Sequence, residues 1–209
     1  MKKIYILLTD TGTVFTRCIK LFTRKKYNHS SIALDSQLKA VYSFGRKNVS
    51  NPFDGGFVHE NLYHNFFLRA KCQVFQIEVT EEQYELLKQN LLAFDLDKNR
   101  YKYNLIGVIG VALHQRWERE NAYFCSQFLA HVLEESDLAL FDKPSYLITP
   151  GDLIDALNPQ LVYEGRVDDY LVNSQSYAEQ PVSVYEEIPT STRTSLLEKL
   201  GLPVLSRFF

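Results

Sequence analysis

Tyr123-Phe124-Cys125-Ser126-Gln127-Phe128-Leu129 is the stretch on which the reading of this chain turns. Cys125, Phe128, Leu129 and Val132 fall on one face at helical spacing, so a helix is expected over residues 123–135. A thiol in the first turn of a helix feels unsatisfied backbone N–H groups and the positive end of the dipole, which favour thiolate. Attack by that thiolate on a carbonyl carbon needs a base for the proton and donors for the oxyanion. The amide of Cys125, directed out of the helix start, is a natural donor. A free cysteine on an apolar helix face is by itself more often a packing residue.

Working outward, the candidate base is His29, at the start of a strand in Asn28-His29-Ser30-Ser31-Ile32-Ala33-Leu34. Strand alternation places His29 on one face with Ser31 and Ala33, whose small side chains leave room for a group to pack over the imidazole. An imidazole that titrates at about 6.5 when unperturbed is suited to proton transfer near neutrality. Residues 31–34 and 39–44 flank Asp35-Ser36-Gln37, the pattern of a hairpin.

Further out the elements are read more coarsely. Residues 4–8 form a buried strand closed by Thr9-Asp10-Thr11-Gly12, and residues 14–22 a helix holding Cys18 as a small core residue. Residues 45–69 have little periodicity and read as a long ordered excursion, with Gly55 and Gly56 expected to supply positive φ. Residues 72–79 are a strand in which Cys72 is structural, and Thr80 with Gln83 forms a capping box for a helix to about residue 94. Residues 104–113 suit either a helix or a buried loop, and their Gly107-Val108-Ile109-Gly110 is read as packing. Thr149-Pro150-Gly151-Asp152 opens a short helix, and residues 160–167 close the body with a strand. From Asp168 onward polar residues predict an extended tail, whose leucines near the end are expected to dock on the body or on another chain.

A net charge of −2 gives no electrostatic footprint for nucleic acid. No run approaches the roughly twenty apolar residues that cross a bilayer, and the five apolar residues after Met1-Lys2-Lys3 are too few for a secretory signal. Three cysteines, an odd number without short-range pairing, argue against a disulfide framework. The expected setting is a reducing cytoplasm. In His59-Glu60-Asn61-Leu62-Tyr63-His64 the histidines stand five apart, which on a helix turns them about 140° away from a shared metal.

The order of a histidine on a strand, a partner strand and a later cysteine at a helix start resembles the circularly permuted branch of the NlpC-type, papain-like cysteine hydrolases. That branch includes the YiiX/YycO-like proteins and the lecithin–retinol acyltransferases. The residues that carry the likeness are those around His29 and Cys125, with Val41-Tyr42-Ser43-Phe44-Gly45-Arg46 and residues 51–60 between them. The resemblance spans residues 1–167, taken as one domain, with 168–209 a tail. It implies an α+β, permuted papain-like fold with an antiparallel sheet and the nucleophile helix packed against the strand of His29. It further implies a third polar residue that orients the imidazole. Ser43 is the matching strand position, where relatives often carry Glu or His, and Glu60 could supply a carboxylate if the long excursion folds back.

The expected activity is therefore attack by Cys125 on an amide, ester or thioester without metal or cofactor. The resemblance implies a cell-wall-type peptide or a lipid acyl group as substrate. The lack of a recognisable signal sequence favours an intracellular substrate. The alternatives are a degenerate binding module that keeps the fold and a scaffold that self-associates through its leucine-rich end.

Overall fold

The computed structural model describes residues 1–10, 26–48 and 51–174. The helix expected over residues 14–22 with Cys18, and the leucine-rich segment near residue 200, lie outside the described residues. The architecture is α+β: one antiparallel six-stranded sheet with helices packed on it.

The chain enters through β1 (Lys2–Asp10) and continues as β2 (His29–Ala33), β3 (Val41–Asn48) and β4 (Asn51–His59). A single-turn helix α1 (Asn65–Leu68) leads to β5 (Lys71–Val79), then α2 (Glu81–Leu96), a short strand β6 (Lys102–Tyr103) and α3 (Leu105–Leu113). Next come β7 (Ala122–Tyr123), α4 (Cys125–Glu134), a 3-10 turn at Ser145–Leu147 and α5 (Pro150–Leu157), followed by β8 (Gln160–Arg166) and α6 (Val167–Ser174). The sheet order is β4-β3-β2-β1-β5-β8, all pairs antiparallel, so β1 is central with β2 and β5 on either side. β6 and β7 form a separate parallel pair.

Alternation along the strands divides the core between two faces. Ile4, Ile6, Ile32, Phe44, Phe57 and Phe75 point to one face, where they meet Leu87 and Leu91 of α2 and Phe128, Leu129 and Val132 of α4. Tyr5, Leu7, Ala33, Val41, Cys72 and Val74 point to the other, covered in part by Val167, Tyr170 and Leu171 of α6. The extended tail expected from Asp168 thus begins as a helix. Asp168 and Asp169 occupy its first turn, where carboxylates favour a helix start, and Val167, Tyr170 and Leu171 fall on its buried side.

The excursion expected over residues 45–69 is largely sheet. β3 and β4 pair from Tyr42↔His59 to Asn48↔Asn51, with an irregularity between Arg46 and Asn48. The glycines there do not adopt a left-handed φ. They permit close approach: a Cβ on Gly56 would lie 2.6 Å from the Tyr101 carbonyl oxygen, and one on Gly55 2.7 Å from Tyr103 Cβ. The chain entering β6 crosses the sheet in the space these glycines leave. The Thr80–Gln83 capping box forms in full, and residues 104–113 resolve into a helix capped by Asn104, whose side chain accepts from the Gly107 amide.

An aromatic cluster seats the start of α4. The ring of Phe44 on β3 lies 5.2 Å from Tyr123 and 5.0 Å from Phe128 between centroids, and Phe94 of α2 lies 5.1 Å from Phe128. Each such pair contributes about 0.5–1.5 kcal/mol beyond its burial. Tyr123 and Phe128 bracket Cys125, so the packing that orders this cluster also fixes where the thiol stands. α4 packs against β2, the strand that carries His29.

Candidate functional site

Four polar side chains converge where β2 separates from β3. Backbone pairing between these strands covers only Ile32↔Tyr42 and Ala33↔Val41, and stops short of His29. Beyond that point the Ser43 hydroxyl donates to the Ser30 carbonyl at 2.9 Å, a side-chain link where the ladder has ended. His29 stands at the start of β2, its side chain 14% exposed.

Glu60 follows the last residue of β4. Its amide donates to the Val41 carbonyl at 2.8 Å, which turns the chain back over β3 and aims the side chain inward. Glu60 Oε1 lies 2.6 Å from His29 Nε2, and Glu60 Oε2 accepts from the Ser31 hydroxyl at 2.6 Å. An ionised carboxylate only accepts, so Nε2 carries the proton in that contact. Gly45 stands over the pair: even with a Cβ added, it would come no closer than 3.6 Å to Glu60 Oε1 and 3.8 Å to His29 Cε1. The room expected beside Ser31 is the room this carboxylate fills.

Ser43 was the strand position matched to an orienting residue, and its hydroxyl does approach His29 Nε2, at 3.5 Å. Its one proton is committed to the Ser30 carbonyl. The shorter, charged partner of the imidazole is Glu60. Ser31, read in the sequence only as a small neighbour, is wholly buried and bonded to that carboxylate. Its place two residues after His29 was the available signal, because alternation returns it to the same face.

Cys125 is the first residue of α4 and is buried, close enough to His29 that each group shifts the titration of the other. The N-cap residue Phe124 makes no side-chain capping bond to the first-turn amides. Burial alone would push the Cys125 thiol up. The hydrogen bond and positive charge of His29, with further hydrogen bonds from Ser30, reverse this and leave it below its ordinary value. Burial likewise acts to lower His29, but the charge of Glu60 and the contacts with Cys125 and Glu60 outweigh it, and the imidazole is pushed up to about 10. Both directions favour a thiolate beside an imidazolium. Cys72, lacking such partners, is pushed up to about 12 by burial.

Cys125 lines a small pocket together with Tyr103, Val108, Val111, Phe124, Ile148 and Pro150, among others. Almost all of that lining is apolar. α3 forms one wall, and on its outer side Ile106, Ile109 and Leu113 remain exposed. Gly107 and Gly110 belong to this helix: the first lies against the Asn104 cap and the second against Trp117. His59 ends β4 and stacks on Tyr42 at 4.9 Å, while His64 stands in the following turn, so the two histidines share no helix.

Comparison with protein-family models finds no match, and neither does comparison with curated proteins or with solved structures. Among the described residues, no helix is long and apolar enough to cross a membrane.

Proposed function

We propose that the chain is a thiol-dependent hydrolase or acyltransferase of permuted papain-like fold, in which Cys125 attacks an amide, ester or thioester carbonyl. What supports this reading is the 2.6 Å Glu60–His29 pair and a helix-start thiol, Cys125, that lines an apolar pocket and whose titration is coupled to that of His29.

With Nε2 bound to Glu60, Nδ1 is the nitrogen left to exchange a proton with the thiol. The Cys125 thiolate adds to the carbonyl carbon, and the negative charge moves to the carbonyl oxygen. The amide of Cys125, the first residue of α4, is the donor proposed for that oxygen. Collapse of the adduct breaks the bond to the leaving amine, alcohol or thiol, which takes its proton from His29. An acyl thioester on Cys125 remains. Water or a second nucleophile then gives its proton to His29 and attacks the thioester, releasing product and restoring the thiolate. Glu60 keeps the ring oriented and stabilises the imidazolium throughout, as a carboxylate does in related triads. The apolar lining favours a substrate that places an acyl or other hydrocarbon group beside the reacting carbon.

The test uses p-nitrophenyl esters of graded acyl length and peptide p-nitroanilides, with intact-mass measurement of the protein after mixing. The expected result is p-nitrophenol release, an acyl mass increment located at Cys125, and loss of both in Cys125→Ala and His29→Ala. No increment on the wild-type protein, or equal turnover by Cys125→Ala, would overturn the proposal.

A further inference from the structure

We infer that Ser31 is a positioning residue for the site, acting on His29 through Glu60. This inference rests on the thiol-dependent reading above. The Ser31 hydroxyl is wholly buried and donates to Glu60 Oε2 at 2.6 Å, while the other oxygen of the same carboxylate meets His29 Nε2 at 2.6 Å. One carboxylate is therefore held at both ends, by a neutral donor on one oxygen and by the ring on the other. The hydroxyl also lies 3.4 Å from Nε2. Nε2 carries its own proton toward Glu60, so the serine proton goes to the carboxylate.

The geometry explains why a donor is needed there. Glu60 is 7% exposed and receives little help from water. A buried carboxylate with a single donor can swing about its Cγ–Cδ bond, and leaving its second oxygen without a donor costs free energy and disfavours its charge. Either response weakens the contact at Nε2. Ser31 has a short side chain on a sheet strand: it pairs with Leu7 of β1 and follows His29 by one alternation. Its hydroxyl has little freedom to leave the carboxylate. Ser43, the other serine nearby, is committed to the Ser30 carbonyl and does not share this task.

The test is the pH dependence of Cys125 alkylation by iodoacetate. That reagent is anionic, so its reaction needs the thiolate and is aided by the imidazolium, and the rate falls again when His29 loses its proton. Removal of the hydroxyl in Ser31→Ala is expected to move the alkaline limb toward acid by about one pH unit, the size of losing one hydrogen bond to a charged group. Ser31→Thr, which keeps the hydroxyl, is expected to restore most of the limb. In a Glu60→Gln background, adding Ser31→Ala should change the limb little, because the residue through which Ser31 acts is already altered. Ser31→Gly serves as a second deletion should the alanine variant fail to fold.

An unmoved alkaline limb in the deletion variants, or full additivity with Glu60→Gln, overturns the role of Ser31. His29→Ala separates that failure from failure of the underlying reading. If it abolishes the wild-type profile while Ser31→Ala leaves it intact, only the positioning role is lost. If it leaves the profile unchanged, the site as a whole is misassigned.

Discussion

The charge state of two side chains governs what Cys125 can do. Its thiol lies below its ordinary value because His29 is beside it, and His29 is held up to about 10 chiefly by Glu60. The thiolate–imidazolium pair is present from the lowered thiol pKa up to about 10. In Glu60→Gln the carboxylate charge is gone, so the imidazolium loses its proton at lower pH, while the thiol still titrates beside a protonated His29. The expected result is an iodoacetate profile whose alkaline limb moves toward acid and whose acid limb does not move up. A profile as wide as wild type would mean that Glu60 does not set the imidazolium. Iodoacetamide should label Cys125 ahead of Cys72, whose burial raises it to about 12, with peptide mapping to locate the adduct. Cys125 and His29 were singled out because few other residue types support this chemistry, and each does begin an element, α4 and β2. Glu60 was one of two orienting candidates, and the sequence could not rank it, since the choice depends on where a turn after β4 returns. Ser31 was read as empty space, because the direction of a hydroxyl is not written in strand alternation.

The elements that deliver these residues differ in how plainly their sequences declare them. α2 has a capping box and α4 an apolar stripe, and both stand where their patterns put them. The start of β3 was read as the second strand of a hairpin with β2, but its far half and β4 escaped because glycine and asparagine interrupt alternation, and the reason for Gly55 and Gly56 is the chain of β6 passing across them. Gly56→Ala tests that account. The added carbon meets a backbone oxygen at 2.6 Å, so strand or crossing chain must shift, at a cost of roughly 1–3 kcal/mol. Urea unfolding reads it as a lower midpoint with unchanged slope. Gly45→Ala is the control, since its added carbon meets neighbours only at 3.4 Å or more and is expected to leave the midpoint nearly unchanged. α3 was ambiguous for a different reason. Its residues are apolar nearly all round, so no polar face marks a period, and the structure leaves Ile106, Ile109 and Leu113 exposed beside the pocket wall.

For the molecule as a whole, the sheet needs cover on two faces, and the second depends on a segment that composition alone assigns to a tail. Val167 and Leu171 are almost fully buried there, and Tyr170 donates to the Ser36 carbonyl at 2.8 Å. A chain ending at Arg166 should be less stable than one ending at Ser174 by roughly 3–5 kcal/mol, from the loss of these side chains to the face holding Leu7 and Val74. Equal thermal midpoints for the two would show that α6 contributes nothing to the body. The acidic pair Asp168-Asp169 disguised this helix, since charge and apolar spacing point to opposite conclusions until the packing face is known.

The sheet order carries one more consequence, and it concerns synthesis. Because β1 is central and β2, β3 and β4 lie successively beside it, the first sixty residues contain every strand of one wing, together with His29, Ser31 and Glu60. On the ribosome the imidazole and its carboxylate are all translated before the nucleophile, and Cys125 follows only after β5 and α2 have emerged to widen the surface on which α4 docks. The β2–β3 and β3–β4 connections are short, and local pairings of that kind form early. The nascent thiol thus spends its life before docking as an ordinary cysteine, without the partner that lowers its pKa. It meets the group that lowers it only when α4 docks on β2, whose imidazole, with the carboxylate beside it, has by then already been made.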